Sequence, residues 1–343
     1  GIKHNTFLMH RRCFDQVGGF DTHLKVVADA KWNRTASAAG LTFEKVDGLH
    51  VFYSTRGLSS AATQADRDRI IRESTELLID SFPQLDPDQA RTLYLSNFNT
   101  HKHQAIMDLH RKMALGAPLL SEMIAEATRW NLRNRAGYRL NAKDADQTVR
   151  VIALAQYFDV PLTDLVFDNT EENRTQNETI AAFFKTLARA EAQKATTGEA
   201  RCLHFARVFS APSETFIYDF LQDLTEAPDG KLHVMLCDTR ETARDRPFEL
   251  TFHVPWNTLP RRLCETLYEL IWDRLVPDTV VAHFALNGWF LHDRLTPEQR
   301  RVKWVNMCHG IDVFAYGNNP NYTAYIDQYC AEAPHVAFTV VSR

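Results

Sequence analysis

The sequence predicts an α/β protein in three parts: a short α/β segment over residues 1–62, a mostly helical stretch over 63–198, and a parallel-sheet domain over 199–343. Three observations carry this. After residue 200, strand-like apolar runs alternate with stretches of helical period, the pattern of repeated β-α-β units. Before it, apolar residues recur at helical spacing, as in Ile70, Ile71, Leu77 and Leu78 and again in Ile106, Leu109 and Met113. The composition, 45% hydrophobic and 24% charged over 343 residues, suffices to bury a core and is long enough for more than one domain.

The elements follow in order. Residues 1–60 mix short apolar runs with turn signals: Gly18-Gly19 reads as a turn, Phe43-Glu44-Lys45-Val46 as a strand, and 30–39 as a helix with Asp29 at its cap. In the helical stretch Pro83 and Pro87 act as breakers. Residues 190–200, rich in Ala, Glu, Lys and Thr and closing on Thr197-Gly198-Glu199, read as a linker. Strands are then expected at 201–208, 232–237, 250–254, 279–283, 301–307 and 336–341, with helices at 214–224 and 259–275. Such units form a Rossmann-like sheet with right-handed crossovers.

Charge and composition exclude several function classes. Lys+Arg 39 against Asp+Glu 43 gives a net charge of −4, which rules out a globally basic nucleic-acid coat. No apolar run approaches the ~20 residues of a membrane-spanning helix. The six cysteines (Cys13, Cys202, Cys237, Cys264, Cys308 and Cys330) contain no C-x-x-C pair, which excludes a zinc knuckle or a thioredoxin-like motif. They are too sparse for a disulfide scaffold and read as reduced thiols of a cytoplasmic protein. The chain opens at Gly1 without a secretory pattern, and its close, Thr339-Val340-Val341-Ser342-Arg343, is strand-like. Both ends are therefore expected to cut through domains.

Two constellations carry chemistry. The first runs His4-Asn5-Thr6-Phe7, Arg11-Arg12, Val17-Gly18-Gly19-Phe20-Asp21, Val27-Ala28-Asp29-Ala30-Lys31-Trp32 and Arg56-Gly57-Leu58-Ser59-Ser60. In this order it resembles the C-terminal part of the catalytic domain of family 2 glycosyltransferases of the GT-A fold, particularly the bacterial exopolysaccharide type. The resemblance spans residues 4–60. It implies that Asp29 is the general base that deprotonates the acceptor hydroxyl, with His4 near the substrate. A carboxylate at a helix N-terminus stays ionised and is suited to that task. Ala30 and Lys31 replace the family's usual aromatic and second acidic residue. The family's D-x-D metal motif lies upstream of the matched part, so no metal ligand is named here. A divalent cation, Mg or Mn, belongs to that other half, and no cofactor is expected within this chain.

The second constellation follows the strand at 201–208: Ser213-Glu214-Thr215-Phe216-Ile217, then Val281-Ala282-His283-Phe284, Asn306-Met307-Cys308-His309-Gly310-Ile311-Asp312, and Val340-Val341-Ser342. Polar residues at successive strand ends are where ligands dock in open parallel sheets. The series resembles the N-terminal, acceptor-binding domain of family 4 glycosyltransferases of the GT-B fold. It implies that His309 is catalytic, near the transferred sugar, with Gly310 and Asp312 beside it. Ser213, Glu214, Thr215 and His283 would line the substrate cleft. Val281 stands where the family's H-A-H-F would place its first histidine, and the donor-binding E-x7-E element would lie beyond Arg343.

The function expected is a fragment of a bifunctional glycosyltransferase of the hexosyltransferase type, inactive alone. It would transfer sugars from nucleotide-sugar donors to hydroxyls of a bacterial surface polysaccharide, on a glycan or lipid-linked acceptor, at the cytoplasmic face of the plasma membrane with peripheral association. Two other classes stand beside it. One is a non-catalytic glycan-binding or scaffold module. The other is a DNA-binding regulator, because residues 151–165 look like half of a helix-turn-helix. Asp159, Asp164, Asp168, Glu171 and Glu172 place acid where a DNA reader needs Lys and Arg, so no nucleic-acid partner is expected.

Overall fold

Residues 10–42, 63–168, 170–196, 201–209, 215–226, 231–240 and 248–340 are described by a computed structural model, whose contacts divide the chain into Gly1–Tyr138 and Arg139–Arg343. The division falls inside the stretch 63–198, so its helices are shared between the two units.

In the first unit the described elements are helical. Helix α1 (Arg11–Val17) ends at Gly18, whose φ of +88° suits a residue without a Cβ. Helix α2 spans Ala28–Ala38, starting earlier than the sequence suggested: Val27 holds the cap position and Asp29 sits in the first turn. The missing cap comes from α3 (Gln64–Ser81). There the buried Glu73 carboxylate accepts from the backbone N–H groups of Lys25, Val26 and Val27 at 3.0, 2.8 and 3.3 Å. Phe14, Phe20 and Trp32 pack with ring centroids 5.2, 5.7 and 5.9 Å apart, and the Trp32 indole donates to the Gly18 carbonyl at 2.7 Å.

Pro87 does not break a helix but opens α4 (Pro87–Ser96), capped by Asp86. Helix α5 (His103–Gly116) buries Ile106, Leu109 and Met113, the face that the helical spacing marked, and α6 (Pro118–Asn134) buries Leu120, Ile124 and Leu132. The expected strand at 43–46 and the Arg56–Ser60 turn lie outside the described residues.

The second unit begins with α7 (Ala145–Tyr157), a 3-10 turn (Leu162–Asp164) and α8 (Arg174–Lys194). The half-motif of the regulator reading therefore holds the end of α7 and the 3-10 turn Leu162–Asp164, and a second 3-10 turn (Glu171–Asn173) leads from it into α8. The sheet follows: β1 (Arg201–Phe209), α9 (Thr215–Glu226), β2 (Leu232–Arg240), β3 (Thr251–His253), α10 (Arg261–Leu275), β4 (Thr279–His283), α11 (Ala285–Arg294), β5 (Lys303–Cys308), α12 (Gly310–Asn318), α13 (Pro320–Glu332) and β6 (Val336–Val340). All pairings are parallel and the strand order is β3-β2-β1-β4-β5-β6, a doubly wound Rossmann-like sheet.

Strand alternation divides β1 between two layers. Phe205 stacks on Phe290 of α11, with centroids 6.0 Å apart. His204, on the opposite face, meets Phe220 of α9. Helix α8 also belongs to this sheet, since its Phe183 lies 5.1 Å from Phe252 of β3. Helix α11 approaches β5 so closely that a Cβ on Gly288 would fall 2.0 Å from the Asn306 amide oxygen. Among the described residues no helix is long and apolar enough to cross a membrane.

Candidate functional site

The winding reverses between β1 and β4, and a doubly wound sheet opens its ligand crevice at the carboxyl ends of the strands on either side of that point. His283 is the last residue of β4 and His309 directly follows β5. Between His283 and α11 stands Phe284, a bulky residue at φ +71° whose N–H donates to the Met307 carbonyl at 2.9 Å. A non-glycine residue in this region of backbone space costs on the order of 1–3 kcal/mol and marks a position over-determined by its surroundings.

The two histidines belong to a longer series. His233 on β2, His204 on β1, His283 on β4 and His309 run diagonally across neighbouring strands, each two residues nearer the carboxyl edge than the residue in register with the one before. Neighbouring ring centroids along this diagonal are 5.3, 5.6 and 6.0 Å apart. Phe220 flanks its middle, and Phe216 and Phe284 pack on His309 at 4.4 and 4.6 Å.

Burial in this apolar layer disfavours charge on the imidazoles. His283 is pushed down to about 3, by burial first and by His309 second. His204 falls well below the usual histidine value, again through burial and then through His283 and His233. His309 is lowered by burial, with Asp312 opposing. At neutral pH these rings are uncharged, so each carries one N–H donor and one acceptor nitrogen. Among the described residues, Nε2 of His309 and both ring nitrogens of His283 are buried and make no hydrogen bond. Buried ring nitrogens without a partner at successive strand ends are polar atoms whose presence calls for a reason.

Asp312 organises the mouth of the site. Its buried carboxylate accepts from the His309 N–H at 2.8 Å, from the Ala285 N–H at 3.2 Å, and from the Tyr322 hydroxyl. One side chain thereby ties together the first turns of α11, α12 and α13. Burial and the Asp312 carboxylate push the Tyr322 phenol far above its usual value, so it remains a donor.

The structure brings His283, His309, Gly310 and Asp312 together. Gly310 opens α12 with empty space where a Cβ would stand. Thr215 is the first residue of α9. His4, Ser213 and Glu214 lie outside the described residues. Asp29 belongs to the first unit, half-buried, with its carboxylate accepting from the Ala30 N–H at 2.8 Å.

No protein-family model matches the sequence, and comparison with curated proteins and with solved structures finds no match either.

Sequence reading passed over His204 and His233. Each sits inside an apolar run, and a lone histidine there carries no signal. The signal lay in the pair of short patterns Cys202-Leu203-His204 and His233-Val234-Met235 on strands that turn out to be neighbours.

Proposed function

We propose that residues 199–343 of the second unit form the acceptor-side domain of a GT-B-type glycosyltransferase, and that the segment around Asp29 closes a GT-A-type unit of the same polypeptide. Each would move a sugar from a nucleotide-sugar donor to a hydroxyl of a glycan or lipid-linked glycan of a bacterial surface polysaccharide. The observation that carries the reading is the buried, unpartnered Nε2 of His309 at the carboxyl edge of β5, one strand from the point where the winding reverses. An uncharged imidazole there can hydrogen-bond a sugar hydroxyl and share its proton during transfer. The Asp312 carboxylate accepts from the His309 N–H, which anchors the backbone that carries the ring.

In the first unit, Asp29 is the general base of this proposal. It stands in the first turn of α2, half-exposed, and accepts from the Ala30 N–H. A divalent cation, Mg or Mn, would act with the D-x-D half of such a unit.

The test offers the full-length protein a panel of nucleotide sugars. Two distinct linkages are expected. Asp29→Asn should lower one by about 10²–10⁴ in rate and spare the other, because an amide cannot take the hydroxyl proton. His309→Gln should do the reverse. Absence of transfer from every donor, with retention of glycan binding, would replace this reading with a non-catalytic glycan-binding module.

A further inference from the structure

The inner end of the histidine diagonal has no part in the transferase reading, and its donor set is of a different kind. Cys202 and His204 are two residues apart on β1 and share a face. On β2, His233 is in register with Cys202, and Met235 is in register with His204. The four residues therefore form a two-by-two block on one face of the sheet, thiol beside imidazole and imidazole beside thioether. All four are buried, with His204 1% and Met235 0% exposed. The potential ligand atoms of Cys202, His204 and His233 lie within 4.8 Å of one another, and Nε2 of His204 faces Nδ1 of His233 at 3.0 Å.

We propose that Cys202, His204 and His233 form a binding site for a thiolate-preferring ion of the Cu(I) and Zn(II) class, with the thioether residue Met235 as their neighbour in the block. Metal–ligand bonds of ~2.0–2.3 Å place ligand atoms about 3.3–3.8 Å apart, so small side-chain rotations close the observed cluster onto an ion. Parallel pairing of two adjacent strands supplies the spacing without any loop. Thiolate and imidazole select this class over Mg and Ca, which need several oxygen ligands, and no carboxylate belongs to the block. Binding breaks the His204–His233 hydrogen bond, whose proton moves to the other nitrogen of its ring, and forms one metal–sulfur and two metal–nitrogen bonds. It releases the Cys202 thiol proton to solvent and sets each imidazole in the tautomer whose bare nitrogen faces the ion. No electron changes hands. The site is independent of the transferase reading and of any hard cation that the other unit would use.

The experiment takes the purified chain, reduced and stripped with a chelator, and titrates it with Co(II) as the spectroscopic stand-in for Zn(II). A parallel titration with Cu(I) runs against the chromophoric chelator bathocuproine. Expected are saturation at one ion per chain, a thiolate-to-cobalt charge-transfer band, and a rise in Tm on binding. Cys202→Ser should abolish the band, and His233→Gln should weaken binding by about tenfold or more. Cys330→Ser, at the exposed cysteine, should change neither. Circular dichroism of the metal-free variants establishes that they fold, and if Cys202→Ser does not, Cys202→Ala and His233→Gln decide. Failure to retain an ion at stoichiometric metal overturns the proposal, as does a band that survives Cys202→Ser or disappears in Cys330→Ser. The ratio of the Cu(I) to the Zn(II) affinity then assigns the ion within the class.

Discussion

The imidazoles of His283 and His309 stack 14° from parallel with centroids 6.0 Å apart, one ending β4 and the other following β5. Neither ring can take a proton without placing charge in the apolar layer beneath α9, and a charge on one opposes a charge on the other.

This makes stability acid-sensitive in a defined window. His283 titrates near 6.5 in the unfolded chain and at about 3 in the folded one. Between these values the unfolded state binds the proton and the folded state does not. The stability present above pH 6.5 is therefore lost as pH falls towards 3, at ~1.4 kcal/mol per pH unit for each such histidine. His204 and His292 shift in the same direction through burial, which steepens the loss. Urea unfolding at pH 7, 6 and 5 should show the decline, and His283→Gln should flatten it. A pH-independent midpoint would contradict the buried neutral diagonal.

Asp312 should be costly to replace. Asp312→Asn turns one of three accepting contacts into a clash of donors, and hydrogen bonds to a charged acceptor contribute ~1.5–3 kcal/mol each. The expected destabilisation is ~2–4 kcal/mol, with Tyr322→Phe costing about half of that. Equal effects of the two substitutions would mean that the backbone contacts contribute little.

Gly288→Ala drives a methyl into the Asn306 amide and should cost ~1–3 kcal/mol by overpacking. The double variant Gly288→Ala/Asn306→Ala removes the obstacle. Its loss should be smaller than the sum of the two single losses, a coupling readable in a double-mutant cycle. Simple additivity would show that α11 can shift away from β5 freely.

In the first unit, Glu73→Gln keeps the size of the side chain but removes the charge that three backbone N–H groups share. A loss of ~1–3 kcal/mol is expected. Hydrogen exchange should accelerate at Lys25, Val26 and Val27 before it does in α5 and α6. Uniform acceleration throughout the unit would show instead that α2 and α3 open together with the rest.

Much of the sheet was legible because strand residues alternate or run apolar between turn signals. The span expected for β4 was Thr279–His283 itself, and β1 differed by one residue at its end. Where the edges moved, local rules explain it. Pro260 takes the cap position of α10, which delays that helix to Arg261, and the 3-10 turn Gln299–Arg301 delays β5 to Lys303. The site was only half legible. His283 and His309 could be placed at strand ends because adjacent residues show where a strand stops. Their relation to His204 and His233 depends on strand order and register, which join residues far apart in sequence. The cap of α2 was missed for the same reason, since Glu73 reaches it from another helix.

The grip of Asp312 on α11 and α12 decides what kind of guest the crevice can welcome. The exposed N–H groups of a helix start are an invitation to phosphate, and Rossmann-like proteins commonly accept it. Here a resident carboxylate already sits on Ala285 and His309. An incoming phosphate ester would meet repulsion at two of the ends that should attract it, whereas a neutral polyol would meet none. On the proposed acceptor-binding role the crevice would discriminate by charge before it discriminates by shape, and millimolar inorganic phosphate should leave any sugar bound there undisturbed.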